Sequence, residues 1–537
     1  MKNTQSIRKG LSRRQFIART GVSAVSLPIL LNGLPLKAFD GPSMQKLFNT
    51  EEATDRVLVL IQLNGGNDGL NTVIPLDKMD VYSQIRPHVA IPEADALKLS
   101  DDAGLHPAMS GVKTLFDEQK VGIIQAVNYP NPNQSHFRSN DIWMSGSASN
   151  VSIPSGWLGR YFNTQYPGFP EGYPNEVMPD PIAIQISAIV GLTLMGPSGR
   201  SMGMALQDPE TFYQLISGTD APGSDLPTSD NARENVLYVR EVQVKSMEYS
   251  EVIKAAADKA DNLVDYPESN RLADQLQIVA RLIAGGLKTR AYVVTLSGFD
   301  THAAQVDSDN HTIGAHANLL SQVSEAVTVF QRDLEAHGID HRVAMMTFSE
   351  FGRRPYDNLS FGTDHGTAAP LFFFGTPVED GITGTSPDLE ELDDQNLKIQ
   401  YDFRQIYASV LQQWFLAEPQ AVNEVLLGDF ETVKVIKSDI TTVDDQVQTN
   451  GIVSLHPVAP NPVRDRAIIS YQVKSTSSVR LDVFDTLGFH VATLVNSEKE
   501  PDTYSVELNA SSLPSGTYMI RLLAGSAQVV QPVVIAR

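Results

Sequence analysis

Apolar residues recur at two spacings along most of the chain. Runs such as Val57 to Leu63, Val121 to Val127, Ile182 to Ile186, Ala291 to Leu296, Val343 to Phe348 and Leu371 to Phe374 are short and nearly continuous in apolar residues. That is how strands buried on both faces read. Between them, apolar positions fall three and four apart. Arg271 to Leu287, His316 to His337 and Asp402 to Leu416 read as helices, the last through Phe403, Ile406, Tyr407, Val410, Leu411 and Trp414. The alternation from about Arg56 to Phe430 predicts an α/β unit, a mostly parallel sheet covered by helices on both faces. The Pro- and Gly-rich stretch from Pro154 to Pro181 reads as loop.

From Ile452 the period changes to two. Ala467 to Val473, Val479 to Phe484 and Val491 to Val495 alternate, and Asp485-Thr486-Leu487-Gly488 is placed as a hairpin turn between two of them. A small antiparallel β-sandwich is predicted over 452–537, joined to the body by a linker at 434–451.

Charge and composition narrow the picture. The 537 residues carry a formal net charge of -22 and no cysteine. Disulfides, thiolate metal sites and cysteine nucleophiles are therefore excluded. Residues 1–40 hold seven Lys/Arg against one Asp, and 452–537 hold seven of each, so the acidity belongs to the body. An acidic body with no basic patch repels nucleic acid and anionic lipid.

The first residues read as an export signal. Ser12-Arg13-Arg14-Gln15-Phe16-Ile17 fits the twin-arginine pattern, and the uncharged segment that follows, Thr20 to Leu36, is 17 residues long and interrupted by Pro28, Gly33 and Pro35. It is too short for a stable membrane span. We read 1–38 as a cleavable signal, cut near Ala38. That route carries proteins already folded in the cytoplasm, where a metal could be loaded.

In open α/β sheets ligands gather at the carboxyl ends of the strands. Asp68 follows the first run in Gly65-Gly66-Asn67-Asp68-Gly69; Asn128 to His136 follows the second. Asp300 and His302 end the fourth in Gly298-Phe299-Asp300-Thr301-His302, and Glu350 ends the fifth in Ser349-Glu350-Phe351-Gly352-Arg353. Asp364 and His365, in Gly362-Thr363-Asp364-His365-Gly366, lead into the sixth. Four carboxylates and two imidazoles would share one rim, a set suited to Zn, Mn or Mg. A single Asp at a strand end is usually a helix cap; the convergence makes the site. Gly199-Arg200-Ser201-Met202-Gly203 satisfies the G-x-S-x-G of serine hydrolases. Gly196-Pro197-Ser198 before it and Asp208-Pro209 after it deny the strand and helix that motif needs.

These motifs, with Ser135-His136-Phe137-Arg138-Ser139-Asn140-Asp141, Gly156-Trp157-Leu158-Gly159-Arg160 and Asp402-Phe403-Arg404-Gln405-Ile406-Tyr407, resemble the bacterial family known as domain of unknown function 1501 from about Arg56 to Gly428. That family in turn resembles the alkaline phosphatase and sulfatase superfamily. The likeness implies a metal-dependent hydrolase of phosphate or sulfate esters. It implies Asp300, His302 and His365 at one metal site, Asp68, Glu350 and Asp364 at a second, and Ser135 as nucleophile. His136 could be ligand or base instead, with Ser135 a helix cap, and Arg138 could clamp an anionic oxygen or be a surface residue. Phe351 stands where the superfamily has a histidine ligand, so one metal or none would replace two. Ala459-Pro460-Asn461-Pro462, Val483 to Gly488 and Leu513 to Tyr518 resemble the sorting domain of type IX secretion substrates. That implies twin-arginine and type IX machinery as partners, and delivery to the cell surface or medium. The alternative is a catalytically silent, surface-displayed protein that binds carbohydrate or a protein partner.

Overall fold

The computed structural model of the chain describes residues 55–175, 178–217 and 230–437, the pairs 30–31 and 34–35, and, apart from short breaks, 453–536. The expected signal at 1–38 lies almost wholly outside the described residues, as do the turn residues 486–489. Two compact units emerge, one of them spanning Glu51–Asp445.

Besides a small three-stranded sheet of Val73–Pro75, Leu97–Lys98 and Ala103–Leu105, that unit contains β1 (Val57–Asn64), β2 (Val121–Asn128), β3 (Ala183–Ile186), β4 (Met204–Leu206), β5 (Ala291–Ser297), β6 (Val343–Phe348), β7 (Arg353–Asn358), β8 (Gly362–His365), β9 (Ala369–Phe374), β10 (Gly381–Thr383) and β11 (Tyr401–Asp402). Nine of them form the central sheet in the order β10–β2–β9–β6–β1–β5–β3–β4, with β11 beside β2. β7 and β8 make a separate hairpin. The principal helices are α1 (His136–Ser145), α2 (Trp157–Gln165), α3 (Asp230–Lys259), α4 (Arg271–Ala284), α5 (Ala315–Ala336) and α6 (Phe403–Ser409).

β1 shows why its sequence is so apolar. It lies between β5 and β6, parallel to both, and Val57, Val59 and Ile61 pack into one core with α4 and α5. Leu58 and Leu60 pack into the opposite core with Trp157 of α2 and Phe403 and Tyr407 of α6. A strand covered on both sides has no polar face to show.

Every pairing in the sheet is parallel except those of β9, which runs antiparallel to both β6 and β2. The residues before β9 therefore arrive at the same rim as the residues after β1, β5 and β6. This reversal brings the β7–β8 hairpin to the site.

The structure corrects two expectations. The stretch from Pro154 to Pro181 is not all loop: α2 occupies Trp157–Gln165 with Trp157, Leu158 and Phe162 buried. Gly159 hid it, and the glycine is there because a Cβ would lie 2.3 Å from the Met195 carbonyl oxygen. The expected linker begins late, since Val435 and Ile436 are buried and Ile436 bridges to Val378. Among the described residues no helix is long and apolar enough to cross a membrane.

The C-terminal unit is a small antiparallel β-sandwich. One sheet is built from 453–455, Arg466–Val473 and Asp502–Asn509, the other from His490–Lys499, Ser477–Asp485, Gly516–Ala524 and Ala527–Ile535. Alternate residues such as Ile469, Tyr471, Leu481, Val483, Ile520 and Leu522 fill its core.

Candidate metal centre

One buried arginine assembles the rim. The Arg353 side chain, wholly buried, donates to the carbonyls of Gly66 at 2.8 Å, Gly65 at 2.5 Å, Phe299 at 2.9 Å and Thr363 at 2.9 Å, and to Asp300 Oδ1 at 2.7 Å. It therefore ties together the turns after β1 and β5 and the hairpin β7–β8, where it sits opposite His365. The turns themselves are nearly in contact. Gly65 adopts φ 128°, and a Cβ there would meet the Asp300 backbone nitrogen at 2.3 Å, so no other residue fits.

Three imidazoles and Asp300 converge on this rim. Asp300 Oδ1 lies 3.1 Å from His302 Nε2 and 3.3 Å from His365 Nε2, and Oδ2 lies 3.5 Å from His136 Nε2. The donor atoms of His136, Asp300 and His365 all fall within 4.8 Å of one another. His302 Nε2 and His365 Nε2 are 2.9 Å apart. Each ring is oriented from its far side. His365 Nδ1 faces the Gln134 carbonyl at 2.9 Å, His302 Nδ1 faces Asp364 Oδ1 at 3.0 Å, and His136 Nδ1 faces Glu350 Oε1 at 2.8 Å. Those oxygens accept, so each Nδ1 must donate and each neutral ring presents a lone pair at Nε2. Phe351 forms a buried wall, its ring 4.8 Å from His136 and 4.6 Å from His365.

The electrostatics favour ionised Asp300 and Asp364 and a neutral His365. Partial burial opposes charge on Asp300, but the hydrogen bond and charge of Arg353 hold its pKa below the usual range. The hydrogen bond from His302 depresses Asp364. Burial, reinforced by Arg353, lowers His365. His136 Nε2 and Glu350 Oε2 are buried without a hydrogen-bond partner. Lone pairs aimed at one another beside a carboxylate, with orphaned donor atoms around them, form a nitrogen and oxygen set that fits a divalent cation.

The expected residues divide sharply. Asp300, His302 and His365 come together. Glu350 and Asp364 stand behind imidazoles, where they orient His136 and His302. Asp68 is not with them. It is 1% exposed, with both oxygens 2.9 Å from Arg86 Nη2 and Oδ2 also accepting from Gln305 at 2.6 Å. Burial opposes its charge, yet Arg86 keeps its pKa low. A second site built from Asp68, Glu350 and Asp364 is therefore not formed. Arg138 is also engaged elsewhere, donating to the carbonyls of Ser149 at 3.0 Å and Val151 at 2.7 Å. Two positions along a helix amount to about 200° of rotation, which turns Arg138 away when His136 faces the rim. Ser135 is the exposed cap residue of α1 and makes no capping hydrogen bond. Its neighbours on both sides, Gln134 and His136, touch the cluster.

Sequence reasoning passed over Arg353 and read Phe351 only as a missing imidazole ligand, although both lie inside the Ser349 to Arg353 motif. An arginine three residues past the acid that follows the strand was the available signal. The G-x-S-x-G segment is followed by strand β4, and Ser201 Oγ is bonded to the Gly203 carbonyl and N–H. It is a turn, not a nucleophile elbow.

No curated protein matches the chain. Among solved structures, dimeric latent PorU from Porphyromonas gingivalis is 15% identical over 16% of this chain with a TM-score of 0.14, and the chain spans only 9% of its length. A protein in the alkaline phosphatase superfamily from Vibrio parahaemolyticus is 9% identical, over 90% of this chain and 83% of its own, with a TM-score of 0.30. The PsFucS1 sulfatase from Pseudoalteromonas sp. is 9% identical, over 87% and 86%, with a TM-score of 0.33. Scores this low carry no weight for activity. The sequence families are decisive: residues 457–536 match a secretion system C-terminal sorting domain. Residues 55–433, well over half the chain, match the family described as protein of unknown function (DUF1501), and the chain belongs to it.

Proposed function

We propose that the chain is an exported metal-dependent hydrolase of phosphate or sulfate esters, working from a single metal site. The observation that carries this reading is the approach of His302 Nε2, His365 Nε2 and Asp300 Oδ1 within 2.9 to 3.3 Å, with both rings locked from behind. Asp300, His302 and His365 hold the ion, with His136 as a fourth donor. A Zn, Mn or Mg ion bound there would supply Lewis-acid charge for the ester's oxygens. Glu350, Asp364 and the Gln134 carbonyl keep the imidazoles in the tautomer that binds. Ser135 offers the nucleophilic hydroxyl, and the first N–H groups of α1, uncapped by Ser135, face the developing negative charge.

The sorting domain directs handling by type IX secretion to the cell surface or beyond; passage of the inner membrane by the twin-arginine route is part of this proposal. A second reading is a catalytically silent binder, favoured by the engagement of Asp68 and Arg138 elsewhere. Elemental analysis of protein purified without chelator, with an aryl phosphate and aryl sulfate assay, separates the two. About one equivalent of metal and turnover lost in Ser135→Ala are expected. Metal-free protein without turnover sinks the hydrolase.

A further inference from the structure

A cavity of about 870 Å³ opens between the Gly381–Thr383 edge of the sheet and the segment 384–400, and shares no lining residue with the His–Asp cluster. Its size lies within the range of small-ligand sites. Three observations say what it takes.

The first is Gln125. It sits in the middle of β2, in Val-Gly-Ile-Ile-Gln-Ala-Val-Asn, where Ile123, Ile124 and Val127 pack into cores. It is 3% exposed, its side chain lines the cavity, and no hydrogen bond to its amide occurs among the described residues. Lining the cavity, the amide is left open to whatever fills it, water or ligand, rather than tied to the protein. The neighbouring Gln400 makes the contrast. Its amide is taken up by Thr385, accepting from the backbone N–H at 3.0 Å and donating to the carbonyl at 2.9 Å.

The second is charge. Lys78 and Lys398 face Asp77, Asp102 and Asp388 around the cavity, a near balance within a strongly acidic body. Balanced walls favour neither an anion nor a polycation. The third is the apolar part of the lining, to which the half-buried Phe116, Ile382 and Ile399 contribute. Gly384, at φ 91°, keeps the floor open, since a Cβ would lie 2.9 Å from Gln400 Oε1 and 3.3 Å from Gln125 Cβ.

We propose that this cavity binds an uncharged oligosaccharide. An amide offers a donor and an acceptor side by side, matching the vicinal hydroxyls of a sugar, while carboxylates accept and an ammonium donates around it. The apolar C–H face of a pyranose packs on Phe116 and the isoleucines. The site stands whether or not the metal centre turns over esters.

The test is calorimetric titration of the full chain with cellobiose, maltose, laminaribiose and diacetylchitobiose. Saturable binding of at least one is expected, weakened about tenfold or more in Gln125→Leu and in Phe116→Ala, and insensitive to salt. In the absence of sugar, Gln125→Leu should leave the unfolding temperature close to the parent's, because the amide bonds no protein group. Absence of saturable heat with all four sugars overturns the proposal. So does binding unchanged in both variants, or a Gln125→Leu protein that melts lower than the parent and so reveals a structural amide. Salt-sensitive binding of inorganic phosphate at this cavity instead would identify an anion site and equally overturn it.

Discussion

The Nε2 atoms of His302 and His365 lie 2.9 Å apart while their Nδ1 atoms are held by Asp364 and the Gln134 carbonyl. With both Nδ1 atoms donating, the two Nε2 atoms turn toward each other, an arrangement that a shared cation or proton relieves. Replacing the support behind one ring should loosen the ion without removing a ligand. Asp364→Asn is expected to weaken metal binding about 10- to 100-fold, and His365→Ala to abolish it. Competition against a chromophoric chelator measures both. Unchanged affinity in His365→Ala removes that residue from the site.

Asp68 is expected to act on stability rather than on metal. Its carboxylate and the Arg86 guanidinium are both essentially without solvent contact. Asp68→Asn leaves a buried cation unpaired, which costs about 3 to 5 kcal/mol. Urea unfolding should show that loss, while metal per folded chain stays at the parent value. A stable Asp68→Asn protein devoid of metal would restore Asp68 as a ligand.

Arg353 is expected to be the largest single contributor at the rim. Arg353→Met strips partners from four backbone carbonyls and from Asp300. A loss of at least about 3 kcal/mol in unfolding free energy follows. Arg353→Lys restores the charge but not the fork of donors, so it should recover little. A lysine variant as stable as the parent would show that charge, not geometry, is what matters there.

Acid should unfold the body through two buried histidines. Burial pushes His106 down to about 3 and His316 down to about 4. Their rings meet edge to face, and His316 Nε2 lies 2.9 Å from Asn67 Oδ1. Both pKa values are lower folded than unfolded, so the unfolded chain takes up protons first as pH falls. The stability they contribute is fully present above about 6.5 and is lost as pH falls through the window down to about 4 and 3. Thermal melts across that range should show the decline, and His106→Gln with His316→Gln should flatten it. An equal slope in the double variant places the acid sensitivity elsewhere.

Much of the fold was legible because it depends on local pattern. Val57–Asn64 and Val343–Phe348 announced themselves as doubly covered strands, and α4 and α5 showed a helical period. Helix α2 was hidden because Gly156 and Gly159, which answer to close backbone contacts with Thr193 and Met195, look like loop residues in the text. The reversal of β9 was hidden too, since direction leaves no mark on composition.

The site was half legible for the same reason. Motif position brought Asp300, His302 and His365 forward, and they meet. It could not say that Asp68, in an equally suggestive Gly-Gly-Asn-Asp-Gly turn, would face Arg86 instead. Nor could it say that Glu350 and Asp364 would stand behind imidazoles. The sequence by itself determined which elements form, that the chain lacks thiolate chemistry, and that acids and imidazoles lie at strand ends. Tertiary structure alone decided which of them share a pocket. A side chain's partner is set by where distant segments meet, and Arg353, joining turns that are hundreds of residues apart, is what makes them meet.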